Sequence, residues 1–386
     1  MPARAAATPS RLYGYALEPR VRRLVAQACA TSCLEGDLAA LDRSTPQRCQ
    51  PRGVLGVDCA LGMVAGADCI EDMDLLRHGG MDRLFAGVRA PSTLGTFLRC
   101  FTFGHVRQLD AVAARFVANL AGHTPLLPGA GEIAYLDVDD TMRETHGYAK
   151  AGAGYGYTKV KGLNALIATV STPLAAPVIV ATRLRRGAVN SVRGAARLVT
   201  DALVTARAAG ASGLVVLRAD SAFYAHDVIA AAARRGARFS VTARHTHAVV
   251  ATISRIDQAA WTPIRYPNAI WDDDEQRWIS DAEVAEITHT AFTGRRAAEH
   301  VTARLIVRRV RRLNPATAPD GQGELFAAYR YHACFTDSPL SMLDAEAAHR
   351  GHAIIEQVIA DLKDSEDDGD EHGSDEAEVT RGLAVY

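Results

Sequence analysis

Acidic side chains recur in this chain at positions where a carboxylate can work. Asp137 and Asp139 alternate along the strand-like run Ile133-Ala134-Tyr135-Leu136-Asp137-Val138-Asp139, so both project from one face and Asp140 from the other. Asp220 follows the apolar run Leu214 to Leu217 and precedes Ser221-Ala222-Phe223-Tyr224. Carboxylates at strand ends in α/β sheets commonly line the functional crevice. Glu356 falls in a late helical stretch with His349, His352 and Lys363, and their spacing puts all four on one helical stripe. Hard divalent cations take oxygen ligands, and a stripe of histidines, an acid and a lysine suits a metal and phosphate site. The structural alternatives are turn or capping roles for Asp139 and Asp220, a solvated face for Glu356 and Lys363, and a zinc pair at His349 and His352.

Definite elements must hold these residues. Residues 1–125 read as helical, with apolar stripes over 20–38, 53–63, 68–76 and 109–120, and a segment opened by Pro91 with Ser92 as N-cap. The Gly- and Pro-rich loop 122–132 is the first boundary. Residues 133–243 then alternate as β-β-β-α-β-α-β, a mixed α/β layer. Residues 244–335 hold Trp261, Trp271 and Trp278 and read as a β-rich insertion. A helix from about Leu343 to Lys363 closes the pattern within 336–363, its apolar side built from Ile354, Ile355, Val358, Ile359 and Leu362. The acidic segment 364–386 has too little apolar content for a core and is expected to be disordered.

The 386 residues carry a formal charge of −1, which on its face excludes a uniformly basic nucleic-acid binder. That total sums two unlike parts. Nine acids and no Lys or Arg fall between 364 and 378, whereas residues 1–363 hold 42 basic against 35 acidic residues, net +7. Of the 43 basic residues only Lys150, Lys159, Lys161 and Lys363 are lysine. The overall Arg excess fits genomic base composition. The clusters Arg183/Arg185/Arg186, Arg234/Arg235/Arg238 and Arg304/Arg308/Arg309/Arg311/Arg312 instead suit phosphate neutralisation, or else solvated faces paired with acids. Seven scattered cysteines without a C-x-x-C point to reduced thiols rather than a disulfide framework. No signal peptide and no membrane span is read, so a cytoplasmic protein is expected.

Three motifs resemble the DDE transposases of bacterial insertion sequences. Leu136-Asp137-Val138-Asp139-Asp140-Thr141 resembles the first, an aspartate at a strand end followed by x-Thr. Leu217-Arg218-Ala219-Asp220-Ser221-Ala222-Phe223-Tyr224 resembles the second. His349-Arg350-Gly351-His352-Ala353-Ile354-Ile355-Glu356 through Lys363 resembles the Y-x2-R-x3-E-x6-K third motif. Glu356 and Lys363 stand in register there, and His349 and His352 replace its Tyr and Arg.

The resemblance implies an α/β fold: an RNase H-like mixed sheet with helices on both faces, interrupted by the β-rich insertion and preceded by an all-helical, DNA-end-binding N-terminal domain. It implies Asp139, Asp220 and Glu356 as catalytic, metal-holding carboxylates, with Asp137 as the alternative to Asp139. Two Mg²⁺ ions, or Mn²⁺ in their place, would serve phosphodiester cleavage and strand transfer. Lys363, Arg350, His352 and His349 would contact DNA. The partners implied are the element's terminal inverted repeats and target DNA, bound by a homodimer at the bacterial nucleoid. The acidic run after Lys363 suggests a truncated or frameshifted copy. The rivals are therefore an end-binding inhibitor that does not cut and another RNase H-like nuclease.

Overall fold

The computed structural model describes residues 62, 67, 70–78, 88–99, 101, 103–145, 151–156, 159–264, 270–272, 277–279, 282–311 and 329–367. The expected helix over 20–38, nearly all of that over 53–63, and the acidic segment from residue 368 onward lie outside them. The described N-terminal pieces are a 3₁₀ turn at Glu71–Arg77 and the helices α1 (Pro91–Leu98) and α2 (Phe103–Ala121). Pro91 occupies the first helical position, so Ala90 rather than Ser92 is the N-cap. Proline fits there because its missing N–H has no intrahelical partner to lose.

One large mixed sheet positions everything else. Its first strands are β1 (Ile133–Glu144), β2 (Gly154–Tyr155), β3 (Lys161–Thr172), β4 (Ala175–Arg186), β5 (Leu214–Ala219) and β6 (Arg238–Thr242). α3 (Ala195–Ala208) and α4 (His226–Arg234) lie between the later ones. β1 runs antiparallel to β3 and parallel to β5, and β6 runs parallel to β5. Strand alternation gives each face its own core. Leu136, Val138, Leu166, Ala168 and Val170 form one cluster with the apolar stripe Leu198, Val199, Ala202 and Leu203 of α3. On the other face Ile167 and Ile179 meet Ile355, Ile359 and Leu362 of the last helix. Helices thus cover both faces, as expected.

Residues 244–335 hold mostly strands, and most of these extend the same sheet. After the short helix α5 (His247–Ile253), their strands are β7 (Thr262–Ile264), β8 (Ile270–Asp272), β9 (Arg277–Ile279), β10 (Ala282–Ala291), β11 (Val301–Arg311) and β12 (Tyr329–Thr336). β12 pairs onto β6 through Cys334↔Thr242, Phe335↔Val241 and Thr336↔Ser240, and β11, β10 and β7 follow in the same sheet. Only β8 and β9 pair apart from it among the described residues. The physical reason is the edge of β6. Left open, it would expose unpaired N–H and C=O groups beside a buried apolar face, and β12 satisfies them.

The late helix is not continuous. It divides into α6 (Met342–Arg350), a 3₁₀ turn Gly351–Ala353 and α7 (Ile354–Asp367), which runs four residues beyond Lys363. Arg218 causes the break. Its Nη1 donates to the Ala348 carbonyl at 2.6 Å, occupying an acceptor that a regular helix would use. A Cβ at position 351 would lie 2.6 Å from the same Nη1, so only glycine fits there.

Arg218 sits in register with Asp137 across β5 and β1. Its Nε and Nη2 donate to the two Asp137 oxygens at 2.7 and 2.6 Å, and the pair is essentially solvent-free. The guanidinium also stacks 4.3 Å from the Tyr135 ring centre. Removing one partner of such a pair leaves a buried, uncompensated charge. Arg218→Met should therefore lower unfolding stability by about 3–5 kcal/mol in urea denaturation; a loss below about 1 kcal/mol would show that the pair does not organise the fold.

Candidate active site

Asp139 lies in the interior of β1 rather than at its end, because the strand continues to Glu144. Its continuation depends on neutralising Asp140. On the opposite face Arg185 Nη2 lies 3.1 Å from the Asp140 carboxylate, and Asn164 Nδ2 donates to the same oxygen. Arg185 also donates to the carbonyls of Asn190, Ser191 and Arg193, fixing the loop after β4. Asp139 itself accepts from the Asp140 N–H at 2.7 Å and forms no ion pair among the described residues. Burial pushes its carboxyl up to about 6; the Asp140 N–H bond opposes this, and the neighbouring Asp220 charge adds to it.

Asp220 immediately follows β5 and caps the 3₁₀ turn Ser221–Phe223, accepting from the Ala222 N–H at 2.9 Å. Burial raises its carboxyl above the ordinary value against that hydrogen bond and the His352 ring. Arg244, just past β6, holds the turn from outside. Its Nε and Nη2 donate to the Ser221 and Ala222 carbonyls at 2.7 and 2.9 Å. Arg244 lies outside the motifs, and Arg218 falls inside the second one without a role being read for it; its cue is a charge inside an otherwise apolar strand.

The third motif delivers its residues to different tasks. His352 lies 2.9 Å from Asp137 through Nδ1, so the nitrogen donates to a carboxylate that Arg218 already grips. The Asp139 and Asp220 carboxyls both feel its ring. His349 does not face this site. Its ring nitrogens bond Ser240 Oγ at 3.0 Å and Thr242 Oγ1 at 2.9 Å, and burial lowers it to about 3, so it is a neutral core histidine with no nitrogen left for a phosphate. Arg350 grips Glu346 one turn back, and Arg308 reaches the same carboxylate. Glu356, exposed on the first turn of α7, lines a groove with His352. Lys363 lines a second groove with Asp140, Asp220 and Arg244. The interruption at Gly351 removes the single helical stripe that the spacing suggested.

Most arginines of the three clusters are also committed within the fold. Arg183 pairs with Asp201, Arg238 with Asp337 and Arg304 with Glu286. Arg309 pairs with its cross-strand neighbour Glu283 and is stacked between Trp261 and Tyr329. Cross-strand charge matching explains why so Arg-rich a β segment folds.

Asp139 and Asp220 fit a divalent cation. They supply oxygen ligands from neighbouring strands, they repel each other, and a cation would relieve that repulsion. Among the described residues no three His, Cys, Asp or Glu side chains are grouped to hold a metal, and Glu356 lines the neighbouring groove beside His352.

A mixed α/β sheet with one carboxylate in a strand and another just past the adjacent strand suits a DDE-type enzyme. Residues 44–316 match the family model described as transposase DDE domain group 1, and the chain belongs to that family. It is a transposase, acting in DNA transposition and recombination. The matched span includes Asp139 and Asp220 and ends before Glu356. A comparison with curated proteins gives no match. Among the described residues no helix is long and apolar enough to cross a membrane.

A carboxyl raised in the folded state holds its proton to higher pH than the same group in the unfolded chain, which titrates near 4. Ionising Asp139 between about pH 4 and 6 therefore costs stability, and the full cost stands above about pH 6. Asp139→Asn should stabilise the protein by up to about 3 kcal/mol at neutral pH, with the gain vanishing by about pH 4. Urea denaturation in EDTA across that range checks this, and a gain that does not change with pH sinks it.

Proposed function

We propose that this transposase cuts DNA at the ends of its element and joins those ends to target DNA, using Asp139, Asp220 and Glu356 as its catalytic carboxylates. The observation that carries the reading is the coupled pair Asp139 and Asp220. They stand on neighbouring strands, each raised by burial, with no arginine paired to either among the described residues. Asp137 is assigned a positioning role because Arg218 and His352 consume its oxygens. The sheet, with β3-β1-β5-β6 at its centre and helices on both faces, supports an RNase H-like catalytic fold within the α/β class.

Two Mg²⁺ ions, when bound, supply activation of a water or 3′-hydroxyl and stabilisation of the leaving oxygen; Mn²⁺ can stand in. Asp139 and Asp220 would hold them from the strands, and Glu356 from the first turn of α7. The chain's own residues do the rest. Arg244 keeps the Asp220 turn fixed, and Asp137 holds His352 beside the pair with its Nδ1 proton directed inward. Lys363 faces the groove that Asp220 lines, placed for a phosphate. A dimer on double-stranded DNA, with the N-terminal region 1–125 reading the inverted repeats, is part of the reading. So is work at the bacterial nucleoid.

The test is plasmid cleavage with DNA carrying the element's ends, in Mg²⁺ and in Mn²⁺. Asp220→Ala, Asp139→Asn and Glu356→Gln should each lower cleavage by about 10³-fold or more while DNA binding persists. Asp137→Asn should show its loss in stability first. Strand transfer retained by Asp220→Ala would overturn the assignment. End-binding without cleavage by the unaltered protein in either ion would mark a binding protein instead.

A further inference from the structure

A second basic surface lies beyond the carboxylates, on the exposed side of β12. Alternate positions of β12 put Arg330, His332 and Cys334 on the face where α6 packs. Cys334 is buried there against Ser240, whereas His332 and Arg330 emerge exposed. The β6–β12 ladder continues through the Ala243 N–H to the Ala333 carbonyl at 2.8 Å, which brings His245 alongside the same patch. His245, Arg330 and His332 line one groove. His332 also lines the groove that contains Arg308, Arg350, His352 and Glu356, so the two share a wall.

No acidic side chain pairs with Arg330, His245 or His332 among the described residues. Burial lowers the His332 ring below its ordinary value, and the cations Arg308, Arg330 and His245 lower it further. A neutral imidazole beside a cation offers a hydrogen bond to an anion, and Arg330 supplies charge. We propose that this track, from Glu356 and His352 across β12 to His332, Arg330 and His245, binds the phosphodiester backbone of the DNA leading away from the carboxylates. The direction of travel rests on the cleavage reading above; the phosphate site itself does not.

The test is the salt dependence of binding to a short fluorescein-labelled duplex of mixed sequence, measured by anisotropy in EDTA. Each neutralised phosphate contributes about 0.9 to the slope of log K against log salt on duplex DNA. Arg330→Gln should weaken binding and reduce that slope by about 0.9. His332→Gln should weaken binding with the slope unchanged, because a neutral ring releases no counterion. Arg296→Gln, exposed beyond the opposite end of β11, should change neither. A wild-type slope in Arg330→Gln, or an equal loss in Arg296→Gln, overturns the proposal. Because EDTA removes cleavage from the measurement, a track that binds as expected while Asp139→Asn still cuts DNA would overturn the cleavage reading alone.

Discussion

The buried bidentate contact between Arg218 and Asp137 is the constraint on which the rest depends. It ties β5 to β1 in register, takes the Ala348 carbonyl from the end of α6 and leaves room only for glycine at 351. Through the second lone pair of Asp137 Oδ1 it also fixes His352. Buried ion pairs seldom add net stability over apolar side chains of the same volume. The value of this one is geometric: one guanidinium decides where two strands, a helix break and a histidine meet.

That contact also sorts the carboxylates of the site. Four aspartates crowd the neighbourhood, and two have dedicated arginines, Asp137 with Arg218 and Asp140 with Arg185. Asp139 and Asp220 receive backbone N–H groups instead. The paired acids serve the fold, each gripped by its arginine. The unpaired ones keep a raised proton affinity and a demand for positive charge, which a bound cation meets. Strand alternation alone made Asp137 and Asp139 equivalent; the arginine across the ladder distinguishes them.

The abundance of arginine has a similar double character. Within β11 most guanidiniums answer an acid nearby on the sheet or on α6, so a charge cluster in the sequence is often a neutral network in space. Where no acid answers, as around Arg330 and His332, the field is left for an external anion. A net +7 over residues 1–363 therefore understates how unevenly positive charge is distributed over the described surface.

Apart from the two-residue strand β2, the sequence by itself determined the order and type of the elements from 133 to 243, because periods of 2 and 3.6 in apolar residues are local properties. It also placed Asp139 on a strand and Asp220 at the end of one, and it put Ile355, Ile359 and Leu362 on the buried side of the last helix, though Ile354 proved exposed. Helical spacing could not reveal that His349 is a core histidine, since the hydroxyls that bind it come from β6, more than a hundred residues earlier in the chain. Nor could it show the break at Gly351, which Arg218 imposes from another strand. The joining of β12 to β6 was equally hidden, because a strand's partner is chosen by edge satisfaction and register between distant segments. What is periodic along the chain was legible in the sequence. What depends on one residue answering another's charge or hydrogen bond across the sheet was decided only by the tertiary structure.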